Sequence, residues 1–127
     1  MRLLDTNIII RFLTNDDVKL ADQAEKILSQ SSPKSLQLTT VVFIETAIVL
    51  LSVYHQPKKQ VIESLALLIN LDSISCDRSS LLKTLEIFEK KSISIVDAYL
   101  LVRVWQGKNE QLVTFDKQLL KEAKVTD

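Results

Sequence analysis

The chain has 127 residues, 16 basic and 16 acidic side chains, one cysteine and one histidine. That length suits one domain spanning residues 1–127, which buries roughly two-thirds of the surface its unfolded chain exposes and needs no metal or disulfide to fold. A single cysteine excludes an intramolecular disulfide and a cysteine-based zinc cluster, and balanced charge excludes a globally basic nucleic-acid footprint. No apolar run approaches the roughly 20 residues of a membrane span and no leader pattern opens the chain, so the expected location is the cytoplasm.

In chain order, Arg2–Leu4 reads as a short buried strand, followed by Asp5, Thr6 and Asn7 and the helix "NIIIRFL". "DDVKLADQAEKILSQ" places Val18, Ala21, Ala24, Ile27 and Leu28 on one helical face behind an Asp16 or Asp17 cap. "SQSSPKS" is a loop, and Leu36–Leu38 is a second strand. "TTVVFIETAIVLL" is a helix so apolar around its circumference that much of it, Glu45 included, is expected to be buried. "PKKQVIESLALLIN" opens on a proline at a helix-tolerant position and carries Val61, Leu65 and Leu68. A third strand follows at Ser73–Ser75, then "DRSSLLKTLEIFEKK", capped by Asp77 with Leu81, Leu82, Leu85 and Phe88 as its stripe. "ISIVDAYLLVRVW" is a further apolar helix containing Asp97. Gln111–Thr114 is a fourth strand before Asp116 and the helix "KQLLKEA", and Lys124–Thr126 is a candidate fifth. Strands alternating with helices predict an α/β domain with a mainly parallel sheet covered on both faces.

In such folds ligands bind beyond the carboxyl ends of the strands. Asp5 and Asp116 fall at two of those ends, and Glu45 and Asp97 interrupt apolar helices. Taken singly, Asp97 and Asp116 are better read as helix-start acids than as ligands, and Asp5 can also be read as the cap of "NIIIRFL". Four acids beside four apolar segments are not explained by capping alone. Clustered carboxylates repel one another unless a cation compensates. An all-oxygen donor set favours Mg²⁺ or Mn²⁺, which polarise phosphoryl oxygens and lower the pKa of a bound water, chemistry suited to phosphodiester hydrolysis.

His55, alone, cannot form a histidine-rich centre; it and Cys76 read as ordinary helix-end and strand-end residues. Tyr99 and Trp105 read as packing or interface residues, and Lys58, Lys59, Lys90 and Lys91 as solvated helix ends. Arg11 and Arg103 read as phosphate contacts or as partners in ion pairs.

"LLDTNIIIRFLTNDD", "TTVVFIETAIVL", "ISIVDAYLL" and "LVTFDKQLLK" resemble, in this order, the four motifs of PIN-domain ribonucleases, particularly the VapC-like toxins of type II toxin–antitoxin pairs. The resemblance covers essentially the whole chain. It implies a three-layer α/β domain with strand order 3-2-1-4-5, helices on both sides, and an acidic pocket at the carboxyl edge. By that likeness Asp5, Asp97 and Asp116 would hold Mg²⁺ or Mn²⁺, and Glu45 would orient or deprotonate the attacking water. Asn7 and Thr114 would contact phosphate or support the acids, a role their amide and hydroxyl groups permit. The same likeness implies endonucleolytic cleavage of RNA, a homodimer, and a VapB-like antitoxin whose carboxyl-terminal segment covers the groove. Two other readings are a PIN-like binding or regulatory module without nuclease activity, and a phosphoacceptor receiver domain. The receiver fold expects paired acids after the first strand, where this chain has Asp5, Thr6 and Asn7.

Overall fold

A computed structural model describes residues 1–107 and 109–125. The chain divides into two compact units, Met1–Arg78 and Ser79–Asp127.

The first unit is built on a parallel sheet in the order β1-β2-β3. Its strands are β1 (Arg2–Leu3), β2 (Leu36–Gln37) and β3 (Ile74–Ser75). Arg2 stands opposite Leu36 and Leu36 opposite Ile74. Bonds from Leu4 N to Gln37 O and from Leu38 N to Ser75 O, 3.0 and 2.9 Å, carry the ladder one residue further, to the predicted strand ends. This is the 3-2-1 half of the expected order. Leu4, Leu36, Leu38 and Ile74 are buried because each lies in a short aliphatic run joined through helical crossovers, the pattern of parallel strands. Arg2 and Leu3, expected to be buried, are exposed in β1 at the end of the β1-β2-β3 order.

Helices α1 (Thr6–Leu13), α2 (Val18–Gln30), α3 (Thr40–Ser52) and α4 (Lys58–Ile69) supply the rest of this core. Asp17 caps α2, its carboxylate accepting from Leu20 N at 3.0 Å. Asp16, the other candidate cap, instead gathers three partners. Tyr54 OH and Thr14 Oγ1 donate to it at 2.9 and 3.0 Å, and Arg11 lies 3.3 Å away. Those hydrogen bonds, Tyr54 first and Thr14 second, hold the Asp16 carboxyl below its ordinary value. On α2, Ala24 and Leu28 are buried as expected, but Val18 is 79% exposed. It is the first residue after the cap, where periodicity extends beyond the part of the helix that packs.

The second unit contains α5 (Arg78–Lys90) from Ser79 onward, α6 (Ile95–Trp105) and α7 (Lys117–Lys124). The first residue of α5 follows Asp77 directly, and Leu81, Leu85 and Phe88 are buried with Ile87. Ser94 caps α6 through Asp97 N at 3.0 Å. Gly107 and Asn109, at φ 69 and 60, turn the chain after α6, and the missing Cβ of Gly107 makes its left-handed backbone inexpensive.

Two strand expectations change. Gln111–Thr114 is not a strand among the described residues. Its burial alternates, with Leu112 and Thr114 half-buried and Gln111 and Val113 exposed, but no ladder bonds form. The segment is strung between an ion pair at Glu110 and a helix cap at Asp116, and its only consecutive aliphatic pair is Leu112–Val113. The Lys124–Thr126 strand is displaced by continuation of α7 through Lys124; Thr126 lies outside the described residues.

Candidate active site

In the first unit the predicted site residues gather where β1 runs into α1. Asp5 caps α1, and its Oδ1 accepts from Thr6 N at 2.8 Å. Thr6 is buried, and its hydroxyl donates to Glu45 Oε1 on α3. This bond joins the strand end to the middle of a helix 39 residues later. Thr6 is the residue linking two predicted site acids that the sequence reading left out. Its signal was its place between Asp5 and Asn7, which reads equally well as ordinary helix-start chemistry.

Glu45 requires a correction, because it is exposed. The buried face of α3 is Phe43, Thr46, Ala47 and Leu50. Glu45 lies on the opposite stripe with Val41 and Ile48, 78% and 44% exposed. Apolar residues surround this helix, so their pattern does not disclose which side faces outward. A carboxylate reaching solvent avoids the desolvation cost expected for a buried one.

Asn7 is exposed beside Asp5. It lines a cavity of about 250 Å³ between α1 and α2, with Ile8, Arg11, Leu20, Gln23 and Ile27. Arg11 is committed to Asp16.

In the second unit Asp97 lies in the first turn of α6 and is half-buried. Ser94 does the capping. Among the described residues the Asp97 carboxylate has no hydrogen-bond or ion-pair partner. Asp116 is exposed and caps α7, its Oδ1 accepting from Leu119 N at 3.0 Å. Its own N–H donates to Thr114 Oγ1 at 3.1 Å. Thr114 therefore holds the backbone of Asp116 and keeps its hydroxyl proton for another acceptor.

Arg103 grips Glu110 through two bonds, Nε–Oε1 at 2.8 Å and Nη2–Oε2 at 2.6 Å, while Nη1 donates to Tyr99 OH at 3.0 Å. The guanidinium also stands 5.8 Å from the Tyr99 ring centroid. These contacts, Glu110 first, raise the pKa of Arg103 above its already high ordinary value. Arg103 is thus an ion-pair partner of Glu110, a bidentate fork that a lysine could not reproduce.

The donor chemistry fits a hard divalent cation in kind. The four predicted acids offer only oxygen ligands, and the caps on Asp5 and Asp116 and the Thr6 bond to Glu45 each engage one of two carboxylate oxygens. Among the described residues, however, no group of three or more Asp, Glu, His or Cys side chains is placed to hold a metal. Asp5 and Glu45 are joined through Thr6, and Asp116 is joined to Thr114.

A family model described as PIN domain matches residues 2–125. No curated protein and no solved structure matches the chain.

Proposed function

Because the chain belongs to the PIN-domain family, whose three-layer α/β members are generally nucleases, we propose that it is a metal-dependent endoribonuclease acting as the toxin of a VapBC-type pair. The observation that carries this reading is the family match across residues 2–125, which contains Asp5, Glu45, Asp97 and Asp116 in the order of the four motifs. The same span supports reading the chain as a single domain.

In this reading Asp5, Asp97 and Asp116 would hold Mg²⁺ or Mn²⁺. The ion would supply charge neutralisation at the phosphoryl oxygens and a more acidic bound water. Thr6 fixes Glu45 through Oε1, so Oε2 accepts the proton of the attacking water. The Thr114 hydroxyl and the Asn7 amide donate to phosphate oxygens. The leaving ribose oxygen takes a proton from solvent.

The partners proposed are an RNA substrate, a second copy of the chain and a VapB-like antitoxin. The cavity between α1 and α2 and the exposed Val41–Ile48 stripe support protein partners. Among the described residues no helix is long and apolar enough to cross a membrane. We place the activity in the cytoplasm.

Asp97→Asn is the test. It keeps the side chain's size and leaves the Ser94 cap in place, so folding is retained while Mg²⁺- or Mn²⁺-dependent cleavage of RNA disappears. Undiminished cleavage by the folded variant would sink the mechanism. Growth arrest on expression, relieved by the neighbouring gene product, tests the toxin role. One observation favours a binding module instead, namely that no three-acid group is formed among the described residues. Failure of the purified protein to cleave a broad RNA panel with either metal would select that reading.

A further inference from the structure

Asp116 lines a cleft of about 400 Å³ in the second unit, whose other lining residues the proposed chemistry does not use. We propose that this cleft is a subsite for one unpaired nucleotide next to the scissile bond, its base lying against Ile93 and Leu119 and its edge read by Ser92, Gln118 and Glu122. The role in cleavage rests on the nuclease reading above.

Size and wall chemistry both point this way. The volume lies at the lower end of the roughly 300–1,000 Å³ typical of small-ligand sites. That is room for a single nucleotide rather than a duplex. Ile93 and Leu119 supply apolar surface, with Leu119 buried in the body of the unit and able to form a firm wall. The remaining lining is polar. Lys91 donates to Glu122 Oε2 at 2.6 Å, and Gln118 Nε2 donates to Oε1 at 3.3 Å. The carboxylate is therefore held from both sides, and Lys91 keeps its carboxyl below the ordinary range. A carboxylate oxygen can accept more than one hydrogen bond, so each retains capacity for a base N–H. The Gln118 carbonyl and Ser92 hydroxyl add an acceptor and a donor–acceptor. Proteins recognise unstacked bases by packing their faces against aromatic or apolar side chains and hydrogen-bonding their edges; here Ile93 and Leu119 offer the apolar wall and the polar residues the edge.

Position supplies the link to chemistry. Asp116 forms part of this cleft while its Oδ1 caps α7 at Leu119 N. Asp116 and Leu119 thus belong to one turn of α7, so a base against Leu119 has its sugar–phosphate close to the proposed metal ligand.

The test separates recognition from cleavage by using neutral nucleosides, which carry no phosphate for the acids to repel when metal is absent. The full chain, without divalent metal, is titrated with adenosine, guanosine, cytidine and uridine while backbone amide spectra are recorded. At least one nucleoside is expected to shift the Ser92, Ile93, Gln118 and Leu119 amides. Gln118→Ala weakens that binding roughly three- to tenfold, the effect of one lost hydrogen bond. No shift at these amides with any nucleoside overturns the inference, as does binding unaffected by both Gln118→Ala and Ser92→Ala. With RNA and metal, Gln118→Ala relaxes base preference at one position beside the cut. An unchanged preference there is also a refutation. Nucleoside binding at the cleft without any RNA cleavage refutes the nuclease reading and leaves the subsite standing.

Discussion

Replacing Thr6 by valine separates a catalytic from a structural role for the Thr6–Glu45 bond. Valine keeps the branched shape and exchanges the hydroxyl for a methyl. Between two buried groups, losing a hydrogen bond to a carboxylate would cost about 1.5–3 kcal/mol. Here the acceptor is exposed, so water takes the place of the hydroxyl. The loss then falls to about 1 kcal/mol or less, and the buried methyl returns up to about 0.8 kcal/mol. Stability therefore stays within about 1 kcal/mol of the parent. Rate behaves differently. Removing a general base outright costs about 10²–10⁴-fold. Thr6→Val leaves the Glu45 carboxylate but frees its rotamer, so the expected loss in cleavage rate is about tenfold, equivalent to about 1.4 kcal/mol. Thr6→Ser, which retains the donor, recovers most of it. Urea unfolding and initial cleavage rates at saturating metal measure the two effects. Equal rates for the valine and serine variants, or a valine variant destabilised by several kcal/mol at unchanged rate, would refute the catalytic role.

Asp116→Asn retains an α7 cap, because asparagine is as good an N-cap as aspartate, and abolishes cleavage. Asp116→Ala abolishes cleavage and also loses about 1 kcal/mol of stability, read as a lower urea midpoint. Leu65→Ala, at a site with 0% exposure in the first unit, should cost about 2–5 kcal/mol in the same measurement. The Glu122 carboxyl, held below its ordinary 4.5 chiefly by the Lys91 hydrogen bond, contributes stability that is complete above that value and lost as pH falls through the lower folded value. Lys91→Met should flatten the acid limb of a midpoint-versus-pH profile; an unchanged limb would deny the linkage.

The parallel strands were legible because each is a short aliphatic run ended by polar residues, and the observed hydrogen bonds reach Leu4 and Leu38 as expected. The helices were legible through their 3.6-residue spacing and their caps at Asp17 and Asp116, while at α6 the cap is Ser94 and not the expected Asp97. Glu45 was misplaced for the opposite reason. In α3 nearly every position is apolar, so periodicity carries no phase and only packing selects Phe43 and Leu50 as the inner face. Residues 111–114 show another limit. Burial alternates there as in a strand, but ladder bonds depend on a neighbouring strand that local sequence does not specify. The Arg103–Glu110 fork was invisible because the contact depends on the turn after α6, whose positive-φ residues bring the two side chains together.

Of the three acids read in the sequence as cap or metal ligand, Asp5 and Asp116 are helix caps in the structure and Asp97 is not. Asp5 and Asp116 each commit one carboxylate oxygen to the first turn of a helix, at 2.8 and 3.0 Å, while Ser94 takes the cap at α6 and leaves the Asp97 side chain to project from that turn. A helix N-terminus offers N–H groups and a partial positive charge, so it holds a carboxylate in a fixed direction without a cation. The acids can be oriented before any ion arrives. The same positive end opposes a cation, so under the proposed metal-dependent reading the caps would exchange some metal affinity for preorganisation. It follows that the metal-free chain should be fully folded, with millimolar Mg²⁺ raising its melting temperature only slightly, whereas a site built of mutually repelling acids without caps would require metal to fold. Unfolding on addition of a chelator would contradict this division of labour.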